Sequence, residues 1–267
     1  MKTTIGIVLV AFAGLYAQDS QRITVPFSDA SRPRKVRVHI ISGGITVSGY
    51  DGKDVIVEPG SRIEPRRHGR PPENVDGLRR IGNPNAGINI EEQNNLVNIS
   101  GPMNGGANLT IQVPFQTSLE LKTLNGGDIR VEHVTGEIDV NDLNGAITLT
   151  NVSGSVLAHS LNGKVVATLD NVTPDKPMSF STMNGNIDVT LPSNVKANVK
   201  MKSDNGDVYS DFDIKLEANH SPVVEDSRGK GGKYKVKLEK AMSGTINGGG
   251  PEVQFITFNG NIMIRKK

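Results

Sequence analysis

The side chains whose spacing most invites chemistry in this 267-residue chain are its carboxylates, 28 Asp and Glu in all. Two carboxyl groups on neighbouring strands can act as general acid and base on a glycosidic bond. Asp128, Glu132, Asp188 and Asp207 recur in one register of the repeats described below, and Glu137 with Asp139 in the other. No register keeps one chemical type from unit to unit. Asp128, Arg130 and Glu132 are followed by Ala146, Thr148 and Thr150, then by Lys164, Val166 and Thr168, while Glu137 and Asp139 are followed by Ser155 and Leu157. These rows read as solvated faces, so no catalytic residue is assigned. A polysaccharide lyase or hydrolase using surface carboxylates is the alternative to a non-enzymatic reading. Asp204, Asp207, Asp211 and Asp213 lie close together and offer hard oxygen ligands of the kind calcium takes. The EF-hand loop and the glycine-rich calcium repeat are both missing, however. His39, His68, His133, His159 and His220 share no paired spacing. No metal or cofactor is therefore expected, and zero Cys excludes thiolate sites, a cysteine nucleophile, disulfides and a cysteine-borne lipid anchor.

The clearest local charge feature is a stretch rich in Arg, Pro and Gly. Arg62, Arg66, Arg67, Arg70, Arg79 and Arg80 stand against Glu64, Glu73 and Asp76, whereas the whole chain carries a formal charge of +2. Guanidinium groups bind phosphate, sulfate or carboxylate in bidentate fashion. These six arginines are thus the candidate binding residues for an anionic polymer, with envelope polysaccharide or a surface protein as partner. The stretch has no aromatic for base stacking, and the near-neutral whole supplies no general attraction for nucleic acid.

The elements that must position these groups are strands. Between residues 124 and 167 the units Leu124-Asn-Gly, Val134-Thr-Gly, Leu143-Asn-Gly, Val152-Ser-Gly and Leu161-Asn-Gly recur at intervals of about nine. After each Gly, apolar and other residues alternate with a period of two, which predicts short strands with one buried face. Asn-Gly returns at residues 184, 205, 247 and 259. Two strands and two turns then make one coil of roughly 18–22 residues. A nine-residue unit cannot bury its apolar face alone, but stacking places Ile129, Ile147, Val165, Ile187 and Val208 in one column. The expected fold is all-β: a repetitive β-solenoid, β-roll or β-helix-like, with two projecting loops. A β-sandwich of hairpins is the competing architecture, since Asn-Gly is also a hairpin turn. The Asn and Gly of each pair are read as turn residues tolerant of positive φ, and Asn125, Asn144, Asn162 and Asn184 as a stacked side-chain ladder.

Residues 1–17 carry one Lys, an apolar run from Ile5 to Ala13 and small residues before Gln18. That is a signal-peptide pattern, too short for a membrane span. The reading is a leader over 1–17 and a single solenoid domain over 24–267, with insertions at 61–84 and 217–233. It implies export to the periplasm, cell surface or extracellular space, with no membrane span in the mature chain.

Gly43-Gly44-Ile45-Thr-Val47, Leu119-Glu-Leu121 leading into Leu124-Asn-Gly, the repeated (Val/Leu)-(Asn/Ser/Thr)-Gly units and the closing Asn259-Gly-Asn-Ile-Met-Ile264 resemble the bacterial putative-adhesin family of exported β-strand-repeat proteins. That family is similar in pattern to the head GIN domain of auto-transporter adhesins. The resemblance covers about residues 24 to 267. It implies a rolled β-solenoid, an exported location and no catalytic residues.

Overall fold

The computed structural model describes residues 22–63, 74–75, 78–79, 87–102, 106–217, 223–226, 234–237 and 241–267. All regular structure among them is strand, because the period-two alternation of the sequence turns every second side chain inward. In Ile187–Leu191 the apolar residues Ile187, Val189 and Leu191 are buried and the residues between them are half-exposed. The same alternation runs through Val165–Val172.

Twenty strands form one continuous sheet wound into a solenoid. Its two faces meet at the Asn-Gly corners, and pairing along the stack is mostly parallel. One face runs, in stacking order, through Leu96–Ser100, Lys35–Ser42, Ser118–Asn125, Thr135–Asp142, the second half of Ile147–Ser160, Met178–Asn184, Glu252–Asn259 and Ala197–Asn205. The other runs through Gly106–Pro114, Ile45–Tyr50, Ile129–Glu132, the first half of Ile147–Ser160, Val165–Val172, Ile187–Leu191, Ile262–Lys266 and Val208–Ser210. The parallel register rules out the sandwich of hairpins.

The core follows this register. Leu109, Ile45, Ile129, Ile147, Val165, Ile187, Ile262 and Val208 form one inward column. The five expected members are present, with one correction to their order and an extension at the start. Ile262 separates Ile187 from Val208, and Ile45 precedes Ile129. Each end of the chain inserts a coil between two coils that are neighbours in sequence. On the opposite face Phe180 stacks on Phe255, with ring centroids 5.5 Å apart and planes 11° from parallel. The inserted coil therefore brings its own aromatic into register with the coil beneath.

Antiparallel strands flank the parallel stack. Asn89–Gln93 lies beside Leu96–Ser100, and Val55–Ile63 beside Gly106–Pro114 with Ile23–Val25 outside it. At the far end Met242–Ile246 lies beside Ala197–Asn205 and carries Lys215–Leu216. They cover sheet edges whose free N–H and C=O groups would otherwise invite a further strand.

The two expected insertions lie largely outside the described residues. The described parts are antiparallel pairs: Asn74–Val75 with Leu78–Arg79, and Val223–Asp226 with Tyr234–Lys237. The stretch 217–233 is thus not loop throughout. The leader at 1–17 lies outside the described residues, as do Arg66, Arg67, Arg70 and Arg80. Arg62 pairs through its backbone with Ala107, and Arg79 with Asn74.

Candidate functional site

The most regular surface feature is the corner between the two faces, and its order comes from a four-residue motif. Thr123-Leu-Asn-Gly, Asp142-Leu-Asn-Gly, Ser160-Leu-Asn-Gly, Thr182-Met-Asn-Gly, Thr257-Phe-Asn-Gly and Ser203-Asp-Asn-Gly occupy successive coils. The polar first residue points inward and is buried, while the second residue, apolar in every coil except that of Asp204, points out. Strand alternation explains the inversion, because the first residue continues the inward row of Leu121, Val140, Ala158 and Phe180 two positions on.

Each inward hydroxyl satisfies itself on the coil below. Thr123 Oγ1 donates to Gly43 O (3.1 Å), Ser160 Oγ to Gly145 O (3.0 Å), Thr182 Oγ1 to Gly163 O (2.8 Å), Thr257 Oγ1 to Gly185 O (3.0 Å) and Ser203 Oγ to Gly260 O (2.8 Å). Buried hydroxyls need such partners. The corner glycines pack just as closely: a Cβ on Gly163 would lie 2.0 Å from Gly145 O. Gly145, Gly163 and Gly185, with Asn144, Asn162 and Asn184, show no positive φ among the described residues; Asn151 (51°) and His133 (56°), on the opposite corner, do. The expected positive φ is found at Gly126 (71°), Gly260 (151°) and the Asn247-Gly248 pair (49° and 87°), while at Gly145, Gly163 and Gly185 glycine is required by close approach of backbones.

Asp142 departs from the hydroxyl pattern. Its Oδ1 accepts from Asn144 N at 3.1 Å, but its Oδ2 is buried with no hydrogen-bond partner. A Cβ on Gly145 would meet both Gly127 O (2.2 Å) and Asp142 Oδ2 (2.5 Å), which places the orphan oxygen where the other coils keep their donor. Burial pushes this carboxyl up to about 6, against the amide of Asn144 and with a smaller push from Asp128. Protonated, it supplies the hydroxyl that Ser and Thr supply elsewhere.

On the outside of the corner the expected ladder is present and longer than expected. Asn144 Nδ2 donates to Asn125 Oδ1 (3.5 Å), Asn162 to Asn144 (2.9 Å), Asn184 to Asn162 (2.7 Å), Asn259 to Asn184 (2.7 Å) and Asn205 to Asn259 (2.9 Å). Beside it Ile41, Leu124, Leu143, Leu161, Met183 and Phe258 stand in line, with all but the half-buried Leu161 between 37 and 47 % exposed. At a strand spacing of about 4.8 Å the row runs for roughly 24 Å. The sequence held the signal for this row in the residue before each Asn-Gly.

Several carboxylates of the flat faces sit in ion pairs. Glu120 meets Lys35 (2.9 Å), Arg37 (3.0 Å) and Lys122 (3.1 Å). Led by the Lys35 hydrogen bond, these cations hold it at about 2, against its burial. Glu137 pairs with Lys176, which lowers its carboxyl, so it is not poised as an acid beside Asp139. Asp128 pairs with Arg130 (2.5 Å), and Asp188 holds Arg265 through two bonds (2.7 and 3.0 Å). The raised carboxyl, Asp142, is 1 % exposed inside the core, out of reach of a polymer. Among the described residues no three His, Cys, Asp or Glu side chains gather where they could hold a metal ion. Within the Asp204 to Asp213 group, Asp204 lies 3.8 Å from Lys202 and Asp211 accepts from Lys266 N. Of the six loop arginines, the structure describes backbone for Arg62 and Arg79.

Residues 112–247, half of the chain, match the model of the family described as Toastrack DUF4097, and the chain belongs to that family. The match accords with the resemblance drawn from the repeats; the GIN domain stays a likeness of pattern. No curated protein matches the sequence. A putative cell adhesion protein from Clostridium sporogenes is similar in structure at 13 % identity and a TM-score of 0.43, over 92 % of this chain and 99 % of that one. A putative adhesin from Bacteroides fragilis is similar at 13 % identity and a TM-score of 0.41, over 92 % and 97 %.

Proposed function

We propose that this protein is an exported, non-enzymatic β-solenoid that serves as an adhesin or cell-envelope scaffold, binding through a rigid ridge. The observation that carries the reading is the exposed apolar row from Ile41 to Phe258, fixed by the Asn ladder beside it. Contiguous apolar surface rimmed by polar groups marks interaction sites. A row repeated coil by coil suits a long partner, such as an envelope polysaccharide or a surface protein. The leader pattern at 1–17 supports export, and no helix among the described residues is long and apolar enough to cross a membrane. Arg62, Arg66, Arg67, Arg70, Arg79 and Arg80 would add contacts to an anionic polymer from the 61–84 insertion.

The test is a screen of the purified protein against glycans, lipopolysaccharide, heparin and envelope polymers, with release of soluble fragments followed in parallel. Saturable binding without fragment release is expected. Depolymerisation of any polymer would overturn the non-enzymatic reading. If the arginine insertion contributes, replacing Arg62, Arg66, Arg67 and Arg70 with Ser weakens heparin binding at low salt and leaves the melting temperature unchanged, since exposed contacts are screened over about 8 to 10 Å.

A further inference from the structure

We propose that the cleft around Arg34 binds an oxyanion, the carboxylate or phosphate of an acidic ligand about the size of a monosaccharide. This goes beyond the ridge, since Arg34 precedes Lys35–Ser42 at the end of that strand away from the Asn-Gly corner.

Charge pairing singles this residue out. Among the described residues, Arg22 faces Glu58 at 3.6 Å, Arg32 faces Asp29 at 3.3 Å, Arg37 faces Glu120 at 3.0 Å, Arg130 faces Asp128 at 2.5 Å and Arg265 faces Asp188 at 2.7 Å. Arg34 faces no carboxylate. Its Nε is buried without a hydrogen-bond partner, and its guanidinium lies 5.8 Å from the centre of the Phe27 ring. With Nε shut off from solvent, the guanidinium meets a guest only through its terminal N–H groups, and no carboxylate among the described residues occupies them.

Among the described residues, the neighbouring carboxylates are already engaged. Asp29 accepts from Ser31 N (2.9 Å) and Ser31 Oγ (2.6 Å) besides facing Arg32. Glu137 is taken by Lys176, and the neighbouring Lys35 is turned to Glu120. The positive charge of Arg34 is thus locally uncompensated, while the carboxylates nearest in the fold are committed.

The space beside it suits a hydrophilic guest. Arg34 lines a cleft of about 460 Å³ with Ser31, Arg32, Gln116, Thr117 and Ser118. That volume is in the range of small-ligand sites. The Thr117 hydroxyl is spent on Pro114 O (2.7 Å), while Ser118 N donates to Arg34 O (2.9 Å) and ties the two walls together. A guanidinium presents parallel N–H groups that match the two oxygens of a carboxylate or phosphate. The hydroxyl and amide groups of the lining match a sugar better than an acyl chain.

Titration calorimetry of the purified full chain with glucuronate, glucose 6-phosphate and glucose tests the proposal. At least one acid should bind, glucose should not, and the arm that binds tells whether carboxylate or phosphate is the natural group. Arg34→Gln should weaken the acid roughly 10- to 100-fold, the range for a hydrogen bond to a charged group. Arg34→Lys keeps the charge and loses the paired terminal N–H groups, so it should weaken binding by about tenfold even if the Gln variant fails to fold. Glucose binding as tightly as the acids, no binding of either acid, or unchanged acid binding in Arg34→Lys would each overturn the proposal. None of these outcomes depends on what binds the ridge.

Discussion

Replacing Asp142 with Ser should stabilise the protein, and by an amount that depends on pH. The change puts a hydroxyl donor where five other coils already carry one, opposite the carbonyl of Gly127. The wild-type carboxyl is raised from 3.8 to about 6 in the fold. A raised carboxyl weakens the fold as pH increases: the penalty is absent below 3.8, grows between 3.8 and 6, and is complete above 6. Its full size is roughly 3 kcal/mol, from 1.36 kcal/mol for each tenfold change in proton affinity. At pH 8 Asp142→Ser should therefore melt roughly 6 to 12 °C above wild type, using the sensitivity of a domain of this size. At pH 4 the two should nearly coincide, because the protonated carboxyl can donate to Gly127 O itself. Melting curves from pH 4 to 8 decide the matter. An equal gap at both ends, or a less stable variant at pH 8, would refute the reasoning.

Glu120 works in the opposite direction. Its depressed carboxyl stabilises the fold above about pH 4.5 and loses that contribution as pH falls towards 2. Glu120→Gln should cost about 1–2 kcal/mol at pH 7, since the three partner cations are partly solvated, and nothing near pH 2; urea titrations at both pH values check it. Ile147→Asp places a charge in the inward column and should unfold the coils around it, whereas Thr148→Asp, one residue on and facing out, should leave the melting temperature within about 2 °C. Gly163→Ala brings a methyl to 2.0 Å from Gly145 O and should cost several kcal/mol, with the loss read by thermal melting.

Much of this architecture is legible in the sequence because a solenoid writes each contact many times. The inward column through Ile129, Ile147, Val165 and Ile187 follows from alternation and spacing alone, and so does the Asn ladder. The inserted end coils are not legible in this way. Ile45 pairs with Ile129 across more than eighty residues and Ile262 with Ile187 across more than seventy, separations that no local period encodes. The corner was harder for a different reason. Thr123, Ser160 and Thr182 are polar and precede a turn, features that read as solvent-facing, yet backbone carbonyls inside the corner give each hydroxyl a partner and make burial tolerable. With that row turned inward, Leu124, Leu143 and Met183 are forced outward, and the ridge follows. Arg34 carries no sequence signal, because its isolation shows only once every other described guanidinium has found its carboxylate.

The central claim is that the ridge is the binding surface, and one measurement addresses it directly. Leu143, Leu161 and Met183 are replaced together by Ser, which removes the middle of the apolar row without touching the inward columns. Wild type and variant are then compared for binding to intact bacterial cells and isolated envelopes, with melting temperature as the control for folding. The account predicts at least a tenfold loss of binding, about 1.4 kcal/mol, at a nearly unchanged melting temperature. A variant that folds normally and binds as wild type does would contradict it.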